Sequence, residues 1–165
     1  MKIHLGCGKH ILDGYTNCDA VKHPQAPRQP DILCDVKSVP LPDQCADEVL
    51  AVHILEHFYR WEVEAVLAEW RRLLKPNGLL VLELPDIKKA ARLLLEDAPD
   101  KFSMWPLYGD PSWKDPLMCH RWGWTHDTLK PVLLACGFTG IIERDPQWHG
   151  RKVKRDMRLE ARRNG

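Results

Sequence analysis

Two short segments hold most of the residue types that can do chemistry. The first, Leu5-Gly6-Cys7-Gly8, follows an apolar start to the chain. Glycines there let a loop approach a ligand closely, and the carboxyl end of the first strand of an open parallel sheet is where such folds bind nucleotides. Gly-x-Gly also occurs in ordinary turns, so its surroundings must decide. Asp19 follows Gly8 by eleven residues, where its carboxylate can accept both hydroxyl hydrogens of a ribose, and Asp35 ends the next apolar run. The plainer reading is a turn followed by solvated strand ends.

The second segment is His53-Ile54-Leu55-Glu56-His57. If a strand gives way to a helix here, positions 53, 56 and 57 share one side. Two imidazoles and a carboxylate then suit a transition metal, with zinc, manganese or iron favoured over magnesium. The same letters match the His-x-x-Glu-His of inverted zinc peptidases. Those need the motif inside a helix, however, and Val49 to Val52 read as a buried strand. A capping Glu56 and a packed His57 explain the residues without a metal. His53 is the first catalytic candidate by position. His120, in Cys119-His120-Arg121-Trp122-Gly123-Trp124, is the second, and a satisfied structural histidine is the alternative for each.

Positioning such groups takes an α/β framework. Short apolar runs alternate with helical patterns, which argues for a mainly parallel sheet flanked by helices. Strands are expected over 3–5, 16–20, 32–35, 48–53, 79–84, 139–144 and 153–162. A helix carries Val63, Val66, Leu67, Trp70, Leu73 and Leu74 and stops at Lys75-Pro76-Asn77-Gly78. A second starts after Asp86, aligns Ile87, Ala90, Ala91, Leu94 and Leu95, and ends before Pro99. A third starts at Thr125 or Asp127 and closes with Gly137. The proline-rich stretch 21–30 reads as a surface loop, and 101–124, rich in tryptophan, as an irregular aromatic covering loop within one domain spanning 1–165.

Composition narrows the field. The 165 residues are 44% apolar and 28% charged, with a formal net charge of +1. No apolar run suits a membrane span, and the start of the chain lacks a signal-peptide core, so a cytoplasmic protein is expected. Six cysteines without a Cys-x-x-Cys pair read as reduced thiols, with Cys34 and Cys136 as small core side chains. The segment from Gly150 carries seven lysines and arginines against two acidic side chains. Arg151, Lys152, Lys154 and Arg155 could therefore meet phosphates, although Val153, Met157, Leu159 and Ala161 alternate with charges as a strand with one solvated face would.

Taken together, Leu5 to Gly8, Asn17 to Asp19, Leu41-Pro42, Leu55 to His57, Leu74 to Gly78 and Gly137-Phe138 resemble the class I S-adenosylmethionine-dependent methyltransferases, in particular small type 11-like members. The resemblance implies a Rossmann-like, seven-stranded, mostly parallel sheet with one antiparallel strand. It places Gly6, Cys7 and Gly8 against the methionine part of S-adenosylmethionine, Asp19 on the ribose, Asp35 and Val36 by the adenine, and His53 beside the sulfonium. Only seven residues separate Gly8 from Thr16, too few for the usual crossover helix, so the N-terminal crossovers are shortened and the pocket less enclosed.

Methyltransferases of ubiquinone biosynthesis and of small-RNA 3′ ends carry Glu-x-x-Glu-His at this place and bind a divalent cation. Here His53 replaces the first glutamate, leaving His53, Glu56 and His57 as the implied metal set. The function implied is methylation of a hydroxyl or amine on a small-molecule or saccharide-containing acceptor. A non-catalytic cofactor-binding module or partner-dependent subunit, and an RNA-directed methyltransferase, are the alternatives.

Overall fold

The computed structural model describes residues 1–148 and 154–165; Arg151, Lys152 and Val153, assigned above to phosphate contact and to the start of a strand, lie outside the described residues. The chain builds one sheet from β1 (Lys2–Leu5), β2 (Thr16–Asp19), β3 (Ile32–Leu33), β4 (Ala46–Val52), β5 (Leu74–Pro85), β6 (Phe138–Arg144) and β7 (Asp156–Arg163). Their spatial order is β3-β2-β1-β4-β5-β7-β6. β1 to β5 run parallel to their neighbours, and β7 pairs antiparallel with both β5 and β6. This is the Rossmann-like α/β sheet expected, with its single antiparallel strand.

Alternation along the strands gives the sheet two unlike faces. Ile3, Leu5, Val49, Ala51, Leu80, Leu82, Met157 and Leu159 point into one apolar core. Two helices cover it: α1 (Val63–Leu73), through Val66, Leu67 and Trp70, and α5 (His126–Ala135), through Leu129 and Leu133. α5 starts at a capping box, in which Thr125 and Thr128 each satisfy the other's backbone N–H, and ends at Gly137, whose φ of +81° a side chain would resist.

The opposite face carries His4, Glu48, Glu83 and Arg158. No helix lies between β1 and β4. Polar contacts close this face instead. Tyr15 donates its hydroxyl to Glu48, and Lys2 pairs with Glu48 at 3.0 Å. Buried Arg158 stands 3.6 Å from Glu83, which accepts the backbone N–H groups of Gln147 (2.8 Å) and Trp148 (2.9 Å). The Trp148 ring stacks over His4 at 6.4 Å. The expected solvated side of the last strand is therefore a buried, ion-paired one, with Asp156 and Arg158 0% and 7% exposed.

Three other expectations change. β5 begins at Leu74, not Leu79; Lys75 to Gly78 bulge out of the β4–β5 ladder, with Asn77 at φ +62°. α2 (Ile87–Leu95), capped as expected by the Asp86 carboxylate, packs chiefly on short helices that follow it. Of its apolar face only Ala90 is fully buried, and Leu95 is 86% exposed. The segment 101–124 is not irregular. It contains α3 (Asp100–Ser103), α4 (Trp105–Tyr108) and 3₁₀ turns at Pro111–Trp113 and Pro116–Met118. Asp110 and Asp115 cap those turns, each followed by a proline that suits a first helical position. Trp124 is buried, whereas Trp113 and Trp122 are 40% and 45% exposed.

Candidate active site

The carboxyl ends of β1, β2 and β4 meet around the glycine turn. Gly6 and Gly8 take φ of +62° and +52°, and a Cβ on Gly6 would fall 1.9 Å from the Ile54 side chain. Asp19, 8% exposed, holds the turn: its Oδ2 accepts the Gly8 N–H at 2.7 Å and its Oδ1 the Val21 N–H at 3.0 Å. Cys7 donates its N–H to the Cys18 carbonyl at 3.1 Å. Burial pushes the thiols of Cys7 and Cys18 up to about 12, so both stay protonated and all six cysteines are free. Asp35 is exposed and accepts the Lys37 N–H at 2.9 Å. Val36 turns its side chain into the core and its carbonyl to Trp70 Nε1 at 3.0 Å.

Where β4 ends, His53 adopts a left-handed φ of +54°, a conformation that side chains other than glycine resist. Its N–H bonds the Glu83 carbonyl at 2.7 Å. Nδ1 lies 3.0 Å from Glu56 Oε1 and Nε2 3.1 Å from Asp156 Oδ2, both buried carboxylates. Burial alone would lower the His53 pKa, but the hydrogen bonds that it donates to Asp156 and Glu56 outweigh it and raise the pKa to about 9. At neutral pH His53 is thus an imidazolium donating both N–H groups to carboxylates. Both of its ring nitrogens are therefore engaged. Arg155 completes the chain of charges, donating from Nε to Asp156 Oδ1 at 3.1 Å. Being 4% exposed, Arg155 is removed from any phosphate, contrary to the expectation above.

Glu56 would be pushed up by burial, yet His53 holds it down to about 2. Its Oε2 is buried without a hydrogen-bond partner among the described residues. A single 3₁₀ turn, Leu55–His57, places Glu56 beside His57, and the covering segment brings in His120. The two imidazoles meet edge to face at 4.9 Å. His120 Nδ1 donates to the Pro106 carbonyl at 2.9 Å, which leaves the lone pair on Nε2, 3.9 Å from Glu56 Oε1; burial lowers its pKa, keeping the ring neutral. Ligand atoms of Glu56, His57 and His120 lie within 4.8 Å of one another. One carboxylate with an orphaned oxygen and two imidazoles fit a divalent transition metal. The structure therefore groups Glu56 and His57 with His120, and not with His53, whose nitrogens are both engaged.

Sequence reasoning missed Asp156. It stands 103 residues from His53, and only the β5–β7 register, which sets Asp156 opposite Pro85, brings it in. No local pattern marks such a residue.

Comparison with known proteins decides what this framework is. Residues 5–82 match a family described as a methyltransferase domain. The Ubiquinone/menaquinone biosynthesis C-methyltransferase UbiE of Burkholderia cenocepacia is 35% identical over 123 residues, covering 68% of this chain and 47% of that protein. Its counterpart in Paraburkholderia phymatum is 37% identical over 91 residues, covering 52% of this chain and 34% of its own length. The chain belongs to the class I S-adenosylmethionine-dependent methyltransferases. The chain spans about half the length of the UbiE relatives it matches.

Solved methyltransferases share the fold at low identity. The 1,6-didemethyltoxoflavin-N1-methyltransferase of Burkholderia thailandensis, solved with 1,6-didemethyltoxoflavin and S-adenosylhomocysteine bound, superposes with a TM-score of 0.68 at 17% identity, over 99% of this chain and 71% of that one. A methyltransferase from Archaeoglobus fulgidus gives 0.65 at 14%, over 98% and 85%. No helix among the described residues is long and apolar enough to cross a membrane.

Proposed function

We propose that the chain binds S-adenosylmethionine at the Gly6–Gly8 turn and transfers its methyl group to a hydroxyl or amine of a small-molecule acceptor. The observation that carries this reading is the turn itself: two left-handed glycines at the end of β1, locked to the Asp19 carboxylate at the end of β2. Asp19 lone pairs not used by the turn would accept the ribose hydroxyls, Asp35 and the backbone at Val36 would lie by the adenine, and His53, its charge offset by the Glu56 and Asp156 carboxylates, would stand nearest the sulfonium. In the transfer the acceptor's lone pair forms a bond to the methyl carbon while the carbon–sulfur bond breaks, its electrons going to sulfur. The acceptor proton passes to a base. His120 Nε2, neutral and with its lone pair free of the Pro106 contact, is suited to take it. Alignment supplies the larger share of the rate.

Calorimetry with S-adenosylmethionine and S-adenosylhomocysteine tests the site. We expect micromolar affinity, weakened about 1 to 3 kcal/mol by Asp19→Ala, the usual cost of unpaired buried polar groups. Absence of binding to a folded sample would sink the proposal and favour a module that has lost its cofactor or awaits a partner. Assays over small alcohols, amines, saccharides and a carbon acceptor of the quinone type then choose the acceptor.

A second reading has one observation in its favour, the orphaned Glu56 Oε2 beside His57 and His120. On this reading these three hold a divalent transition metal, which would lower the pKa of a bound acceptor hydroxyl. Zinc or manganese titrated into the cofactor-free protein should bind at one equivalent and be lost in His120→Ala. Equal binding by that variant would refute the assignment.

A further inference from the structure

The turn bearing Glu56 and His57 continues into a surface that methyl transfer alone does not use. Tyr59 and Trp61 stack ring on ring, with centroids 4.6 Å apart and planes 4° from parallel. They are 42% and 77% exposed, so this pair fills no core. The Arg121 guanidinium lies 4.9 Å from the centre of the Tyr59 ring. Its Nη1 also donates to the His57 carbonyl at 3.1 Å, while the N–H groups of Arg121 and Trp122 both reach the Glu56 carbonyl, at 2.8 and 3.3 Å. The covering segment is thus fastened to the turn at the point where the candidate base stands, and Arg121 is held rather than trailing in solvent. The nearby Glu62 carboxylate is engaged by the Tyr59 N–H at 3.0 Å and by Lys37 at 3.5 Å. Among the described residues Arg121 makes no ion pair within 4.0 Å, whereas Arg60 pairs with Glu64 at 3.5 Å.

An open indole face gains by covering apolar area, and a planar π-system covers it best; a guanidinium beside the stack selects negative charge. We propose that Tyr59, Trp61 and Arg121 form the acceptor-recognition surface, and that it takes a small molecule with a planar ring bearing an anionic group. The inference rests on the methyl-transfer reading for its meaning, since it names the acceptor's class. The ring would cover the exposed Tyr59–Trp61 pair, with its carboxylate or phosphate drawn toward the Arg121 charge.

The test is calorimetry on the full chain, with and without S-adenosylhomocysteine, using 2-naphthoate, 2-naphthyl phosphate, neutral 2-naphthylmethanol and non-planar cyclohexanecarboxylate. Expected are binding of the two anionic naphthalenes, a loss of about fivefold or more for both in Trp61→Ala, and a loss in Arg121→Gln that spares 2-naphthylmethanol. The stronger of the two anions identifies the acceptor's charged group. Trp61 is exposed and its variant should fold; circular dichroism checks Arg121→Gln, and Arg121→Lys, which keeps the charge without the planar fork, should fall between. The inference is overturned if no naphthalene binds at millimolar concentration, if charge makes no difference, or if cyclohexanecarboxylate binds as well as 2-naphthoate. It is also overturned if Trp61→Ala turns a dimer into a monomer, which would make the surface a protein interface. Cofactor binding without naphthoate binding defeats this inference alone; naphthoate binding without cofactor binding defeats the methyl-transfer reading and leaves the surface standing.

Discussion

Two histidines in this chain are tuned in opposite directions by what surrounds them. His4, 3% exposed between Trp148 and Tyr15, is lowered to about 4 because burial outweighs its contact with Asn17. The unfolded chain takes up a proton below about 6.5 and folded His4 does not, so stability should fall as pH drops from 6.5 toward 4, by at most about 3 kcal/mol. Urea unfolding at pH 7 and pH 5 should show this slope, and His4→Phe should flatten it; an unchanged slope would show that another group causes it. His53 is the reverse case. Its folded pKa of about 9 lies above the unfolded value, so its contribution is complete below about 6.5 and is lost as pH climbs through 9. His53→Gln should remove the alkaline part of the profile and leave the acid part. Of the two, His53 was legible from residue type and place, and His4 was not singled out. The tuning of neither was legible, since Asp156 and Trp148 approach from far along the chain.

At the level of elements, the strands were read well where apolar runs were long and poorly where they were short. β3 is two residues, and its expected extension to Asp35 is lost because no partner strand continues beside it. The four-residue helices α3 and α4 were invisible to periodicity, which needs more than one turn; the 3₁₀ turns after them did carry a local start signal in the Asp110-Pro111 and Asp115-Pro116 pairs. The apolar stripe of α2 predicted a burial that the short helices after it only partly supply. α5 was read from its cap, and the same cap supports a measurement. Thr125→Ala removes the acceptor for the Thr128 N–H, leaves its own N–H on the Thr128 hydroxyl, and should cost about 1 kcal/mol in chemical denaturation. A variant as stable as the parent would mean that packing alone holds the helix start.

Across the whole molecule, the unlike faces of the sheet set what can be changed. Trp148 shields His4 and, with Gln147, saturates Glu83; Trp148→Ala should expose that buried ion-paired layer, lower the melting temperature and lessen the acid sensitivity traced to His4. An unaltered melting temperature would place the shielding elsewhere. The parallel sheet and its single antiparallel strand could be read from the rhythm of the sequence, but the polar cover could not, because it replaces helices by contacts between distant loops. The antiparallel strand also fixes an order of events. β7 inserts between β5 and β6, so a chain still emerging from the ribosome keeps a central strand edge unpaired until Asp156 and the residues after it have been made. His53 acquires its second carboxylate at that same moment, so the sheet and the charge pattern of its site are completed by a single late step.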